Sequence, residues 1–159
     1  VGLNAAVLPL GGLAGQWFSP AAKLMAAMPL VPQLFAWRAR DPAVLERLLE
    51  GTGSRLDATG RALYQRLVSS PAHARGALAM MANWDLPRLA ADLPRLAVRL
   101  DLVVGERDRT VPPAHAARVM QALPPGSRGR LTALPGLGHL AHEEDPQRVA
   151  DLILPDPGR

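Results

Sequence analysis

Apolar positions in the last third of the chain fall in short continuous runs, each closed by a glycine-bearing loop. Leu96 to Val104 (LAVRLDLVV) ends in Gly105-Glu106-Arg107-Asp108, and Leu131 to Leu134 (LTAL) ends in Pro135-Gly136-Leu137-Gly138-His139. Apolar runs of this length bounded by turn residues predict buried strands. Between them, Pro113 to Leu123 has the composition and spacing of one helix. Strand, helix, strand in that order predicts a βαβ unit with parallel strands and a right-handed crossover. Val1 to Pro9 (VGLNAAVLP), running into Gly11-Gly12, predicts a further buried strand.

The pattern is helical between these strands. Pro20, Pro29 and Pro32 break the apolar stretch from Gln16 to Ala39 into short pieces. Asp41-Pro42, Asp57, Ser70-Pro71 and Asp145-Pro146 each read as a helix start, because a short polar side chain caps free N–H groups and proline suits the first helical position. The expected inward faces are Val44, Leu45, Leu48 and Leu49, with Gly51 as the stop; Leu63, Leu67 and Val68; and, in the last helix, Val149, Leu152 and Ile153, while the helix opened by Ser70-Pro71 runs through Ala77, Leu78, Met80 and Met81. Leu86 to Leu93 predicts a short helical linker, and Pro155 to Arg159 a frayed tail. The expected organisation is residues 1–15 as strand and loop of the core, 16–93 as an inserted helical cap, and 94–159 as the second part of the core. The class is α/β. An insertion at the carboxyl ends of parallel strands lies where ligands bind in such sheets, so the helical stretch is expected to act as a lid.

Composition narrows the function. A chain of 159 residues, 48% hydrophobic, fits one domain with a core. Net charge is +4 with no arginine block and no interleaved aromatics, so no nucleic-acid partner is expected. The absence of cysteine excludes a disulfide framework and thiolate chemistry. No apolar run reaches the ~18 residues of a transmembrane helix, and no signal peptide is visible. The expected location is cytoplasmic, with peripheral membrane contact as the variant of it.

The two strand-end loops present the candidate chemistry. Asp108 can be a turn-capping carboxylate or the partner of an imidazole; His139 can be a structural histidine or a base. Gly136 and Gly138 favour the second reading, since they let the backbone turn tightly and bring the ring into a crevice. His139, His142, Glu143 and Glu144 do not have the spacing of a helical zinc motif, so no metal and no cofactor is expected. His73 and His115 are expected on surface helices. Trp17, Phe18, Phe35, Trp37, Met80, Met81 and Trp84 are core or pocket lining; a Met81–Trp84 cluster beside a crevice would suit a large flat apolar ligand. Asn4 either bonds locally or faces the site.

The stretch Gly105-Glu106-Arg107-Asp108-Arg109-Thr110-Val111-Pro112-Pro113, followed by Gly136-Leu137-Gly138-His139, resembles the acid and histidine segments of the α/β-hydrolase superfamily. In that family the order is nucleophile, acid, histidine, which implies Asp108 as triad acid and His139 as triad base. Gly2-Leu3-Asn4-Ala5-Ala6, Gly11-Gly12-Leu13-Ala14-Gly15, Ala77 to Leu86 (ALAMMANWDL) and Gly138 to Glu144 (GHLAHEE) are similar to the magnesium-chelatase accessory hydrolases of bacteriochlorophyll biosynthesis. No Gly-x-Ser-x-Gly occurs in the sequence. The resemblance therefore implies the C-terminal part of an α/β-hydrolase fold, with the N-terminal half as its missing partner. The chain alone is expected to be inactive and prone to associate. The implied function is hydrolysis of an ester or related bond by a Ser-His-Asp relay in an accessory to magnesium chelatase. An apolar small molecule or a tetrapyrrole is the implied substrate, bound through Trp84, Met81 and Asn4, and chelatase subunits are the implied partners. The alternative is a non-catalytic tetrapyrrole-binding or chelatase-docking module. A dehalogenase-like enzyme with aspartate as nucleophile is a third possibility.

Overall fold

In the computed structural model, residues 1–9, 21, 23–25, 28 and 30–154 are described. The loop expected at Gly11-Gly12, the aromatics Trp17 and Phe18, and the tail Pro155 to Arg159 lie outside the described residues. Among the described residues, β1 (Gly2–Leu3) is followed by the helices α1 (Val31–Arg38), α2 (Pro42–Thr52), α3 (Ala58–Val68), α4 (Pro71–Ala82) and α5 (Leu86–Asp92). A 3₁₀ turn, Leu93–Arg95, enters β2 (Leu100–Gly105). α6 (Ala114–Ala122), a second 3₁₀ turn (Pro125–Ser127), β3 (Arg128–Leu134), α7 (Ala141–Glu144) and α8 (Pro146–Ile153) complete the order. The strands form one parallel sheet in the order β1-β2-β3.

Proline and caps set the helix starts, as the sequence predicts. Asp41 accepts from Ala43 N (3.0 Å), Asp57 from Gly60 N (2.7 Å), Ser70 from His73 N (3.3 Å) and Asp145 from Arg148 N (3.1 Å). Pro32 opens α1 at its first turn rather than breaking a helix there. α2 runs past Gly51 and stops at Gly53, which takes the left-handed conformation (φ 74°) that releases a helix C-terminus. Of the expected inner face of α3, Val68 packs inward but Leu63 and Leu67 do not. Tyr64 and Val68 join the cluster of Leu45, Leu49, Leu56 and Leu140, while Leu63 and Leu67 face outward, as Leu48 does on α2. In α4, Ala74 and Ala82 are the buried positions and Met80 is exposed. In α8 only Val149 is buried; Leu152 and Ile153 stay on the surface.

β1 is much shorter than the apolar run Val1 to Pro9, because Asn4 turns to positive φ (44°) and ends the strand. β2 is buried on both faces: Leu102 faces a cluster with Leu93, Ala116, Val119 and Leu123, and Val103 faces Leu134, Ala141 and Val149. Helices α6 and α8 thus cover opposite faces of the central strand. α1 to α5 lie between β1 and β2 in the chain, and Leu140, next to His139, packs into their cluster. No helix among the described residues is long and apolar enough to cross a membrane.

Candidate active site at the strand ends

β2 and β3 end in register at Gly105 and Leu134, so the loops that follow leave the sheet side by side. Glu106 N donates to Leu134 O and Arg107 N to Leu137 O, which zips the two loops together. Asp108 sits in the first with its side chain 1% exposed, and His139 in the second at 28%. Asp108 Oδ1 accepts from Thr110 N (2.8 Å) and Val111 N (2.9 Å), and Oδ2 lies 2.8 Å from His139 Nδ1. One carboxylate oxygen holds its own turn while the other holds the imidazole. A carboxylate this buried needs several donors, and it has three. With Nδ1 engaged, Nε2 is the ring nitrogen available to another group.

Asn4 is buried and ties all three strand ends. Its Nδ2 donates to Gly138 O (3.0 Å) and His139 O (2.8 Å), its Oδ1 accepts from Gly105 N (2.7 Å), and its own N donates to Val103 O (2.9 Å). The bonding is not local, since the partners come from the far end of the chain. The helical insertion is joined to the same loops. Thr52 O accepts from His139 N (3.1 Å) and Arg109 N (3.3 Å), Ser54 Oγ accepts from Leu140 N (2.8 Å), and Glu144 bridges Gly138 N and Arg55 N. Gly53, Gly105 and Gly138 permit this approach: a Cβ on Gly138 would lie 2.5 Å from Gly53 C and Ser54 N. Sequence reasoning missed Thr52, Ser54 and Glu144. Their only signals were a glycine pair at a helix end and an acid just ahead of Asp145-Pro146.

A cleft of about 410 Å³ opens beside the pair, lined by His139, Asn4, Ala6, Trp84, Leu86 and Leu89, with Asn83 and Asp85 at the same wall. Trp84 therefore borders the cavity that His139 borders. Met81, half-buried in α4, is not among the lining residues. One other expectation changes. His115 is buried rather than exposed, with Nδ1 lacking a hydrogen-bond partner among the described residues. His142 lies on the surface 3.7 Å from Glu143, and no cluster of His, Asp or Glu among the described residues is set to hold a metal ion. A second cleft, of about 540 Å³, lies by Leu63, Tyr64, Leu67, His73 and Glu143. Burial, then the Glu143 charge, raise the Tyr64 hydroxyl above its ordinary value.

Comparison with known proteins shows the family. The alpha/beta hydrolase family profile matches residues 1–152. The chain is 36% identical over 154 residues to the magnesium-chelatase 30 kDa subunit of Rhodobacter capsulatus, an alignment covering 97% of this chain and 53% of that protein. A shorter segment of 63 residues is 41% identical to the epoxide hydrolase EphH of Mycobacterium tuberculosis, covering 39% of this chain and 28% of that enzyme. The chain thus spans about half the length of the first relative and less of the second.

Proposed function

The chain belongs to the alpha/beta hydrolase family, and from that premise we propose that Asp108 and His139 are the acid and base of a hydrolytic relay. The observation that carries the reading is the 2.8 Å contact between Asp108 Oδ2 and His139 Nδ1 beside an apolar-walled cleft. Asp108 fixes the ring with its Nδ1–H donating, so Nε2 can take a proton from an attacking hydroxyl and return it to the leaving group. The reaction class is hydrolysis of an ester or related bond, and it needs no cofactor. The sequence has no Gly-x-Ser-x-Gly, and no hydroxyl among the described residues hydrogen-bonds the His139 ring. The attacking serine and its oxyanion donors are accordingly assigned to another part of the family fold. Residues 16–93 act as the cap in this reading, Trp84 supplies the wall against which a flat apolar substrate stacks, and Asn4 holds the floor.

The relative named as a magnesium-chelatase subunit supports a role beside that chelatase, with a tetrapyrrole as the ligand and chelatase subunits as partners, in the cytoplasm or at a membrane surface. The alternative on the same fold is a tetrapyrrole-binding or chelatase-docking module that performs no hydrolysis, since a fold by itself does not decide between chemistry and binding. Hydrolysis of p-nitrophenyl esters by the full-length protein, compared with His139→Ala, separates the two. Loss of about 10³-fold or more in kcat is expected for a base. Equal turnover in that variant sinks the relay, and protoporphyrin binding read by quenching of tryptophan fluorescence, unchanged in His139→Ala, would then favour the binding module.

A further inference from the structure

We infer that Glu144 is a positioning residue that clamps the histidine loop to the entrance of the helical insertion. Its two carboxylate oxygens face in different directions. Oε2 accepts from Gly138 N at 2.7 Å, immediately before His139, and Oε1 accepts from Arg55 N at 2.8 Å, immediately after Ser54. The clamp completes a run of three consecutive amides, each held by a different acceptor: Gly138 N by Glu144, His139 N by Thr52 O and Leu140 N by Ser54 Oγ. Two of those acceptors belong to the end of α2 and the turn after it, and the third is tied to that turn through Arg55. From the other side, Asn4 Nδ2 binds the Gly138 and His139 carbonyls.

Of the acceptors in this ring, Glu144 alone carries a charge and alone joins two separate segments through one side chain. Charge-assisted bonds of this kind are shorter and about twice as strong as neutral ones. The backbone that aims the His139 ring at Asp108 is therefore fixed to the insertion, and the insertion is fixed to the ring. The neighbouring Glu143 takes no part: it faces His142 and the second cleft.

The chemistry distinguishes substitutions. Glu144→Gln keeps one carbonyl oxygen but turns an NH₂ towards the other N–H, so at least one bond is lost; Glu144→Ala loses both. Amide exchange of Gly138 and Arg55, measured in the full-length protein by NMR, is expected to accelerate about tenfold or more at both sites in Glu144→Ala and at one or both in Glu144→Gln. Glu143→Gln is the control and leaves both unchanged. Where the inference concerns catalysis it rests on His139 as the base. There, Glu144→Gln is expected to lower kcat about tenfold with KM within about twofold, because Trp84, Leu86 and Leu89 are not among the groups it holds. Unchanged exchange at both amides in a folded Glu144→Gln variant, or a KM rise matching the loss of kcat, overturns the clamp. If the parent protein hydrolyses nothing, the relay reading fails while the exchange measurement still decides the clamp.

Discussion

Asp108 divides its work between two oxygens, and that division makes its amide variant informative. In Asp108→Asn the carbonyl oxygen is retained by Thr110 N and Val111 N, which can be satisfied only by an acceptor. The NH₂ then faces His139 Nδ1 and forces that nitrogen to accept, so the proton moves to Nε2 and the base is lost. A fall of about 10³–10⁴ in kcat is expected, the range seen when a triad acid is made an amide, with the ¹⁵N shifts of the His139 ring reporting the exchanged tautomer. Retained Nε2 basicity in those spectra would refute the argument. Asn4 is the converse case, a residue whose importance lies in packing polar groups. Asn4→Ala leaves Gly105 N and two carbonyls without their partner, and a loss of about 2–5 kcal/mol is expected in chemical unfolding; under 1 kcal/mol would show that water substitutes for it. Asp108 and His139 could be picked from the sequence because each follows an apolar run and a glycine. Asn4 could not be assigned, because a lone polar residue in an apolar run carries no mark of partners 134 and 135 positions away.

Elements were legible where a rule acts over a few residues and less so where tertiary packing chooses among equivalent options. The caps at Asp41, Asp57, Ser70 and Asp145 are local, and all four stand where the sequence places them. The face of α3 is not local: Leu63 and Leu67 or Tyr64 and Val68 would each make a helical stripe, and contact with Leu140 and the α2 leucines selects the second. His115 has the same origin, since α6 turns it inward beside Ala116 and Val119. The β2–β3 pairing supplies a prediction about pH. Asp101 accepts from Arg130 N, first in importance, and from Arg99, and these hold its carboxyl below the ordinary value of 3.8. A lowered folded value means the stabilisation is complete above the unfolded value and disappears as pH falls through the folded one. Asp101→Asn is therefore expected to lower Tm at pH 7, with the difference from the parent shrinking below about pH 4. A gap that widens in acid would reverse the sign and remove Asp101 from the account. Gly138→Ala tests the neighbouring junction: its Cβ meets backbone at 2.5 Å, which no rotamer relieves, so the insertion and the histidine loop must separate. Loss of protection at His139 N and Leu140 N together is the expected exchange signature.

At the scale of the molecule, accessible surface is the deciding quantity. The chain exposes 10087 Å² at 16.9 kDa, whereas a compact monomer of that mass exposes about 7,700 Å². Part of the excess is apolar and organised. Leu30, Leu34 and Trp37 recur at helical spacing along α1 with 74%, 63% and 63% exposure, while the residues α1 buries are the small Pro32 and Ala36. At β3, Leu131 is 41% exposed, so one face of that strand is left partly bare. Each large side chain left in water forgoes roughly 1.5–3 kcal/mol, and a few of them approach the 5–15 kcal/mol of a domain's net stability. Residues 1–159 expressed alone are therefore expected to self-associate at micromolar concentration and to unfold over a broad range. They are also expected to show no His139-dependent ester hydrolysis, since among the described residues no hydroxyl hydrogen-bonds the His139 ring, and a base without an attacking group lacks the covalent step. Sedimentation, calorimetry and an ester assay on the same preparation check all three. A monodisperse monomer with one sharp transition would mean that the exposed apolar stripe is tolerated and the surface argument is wrong. Turnover abolished by His139→Ala in that monomer would mean that a hydroxyl within these 159 residues reaches Nε2 after all.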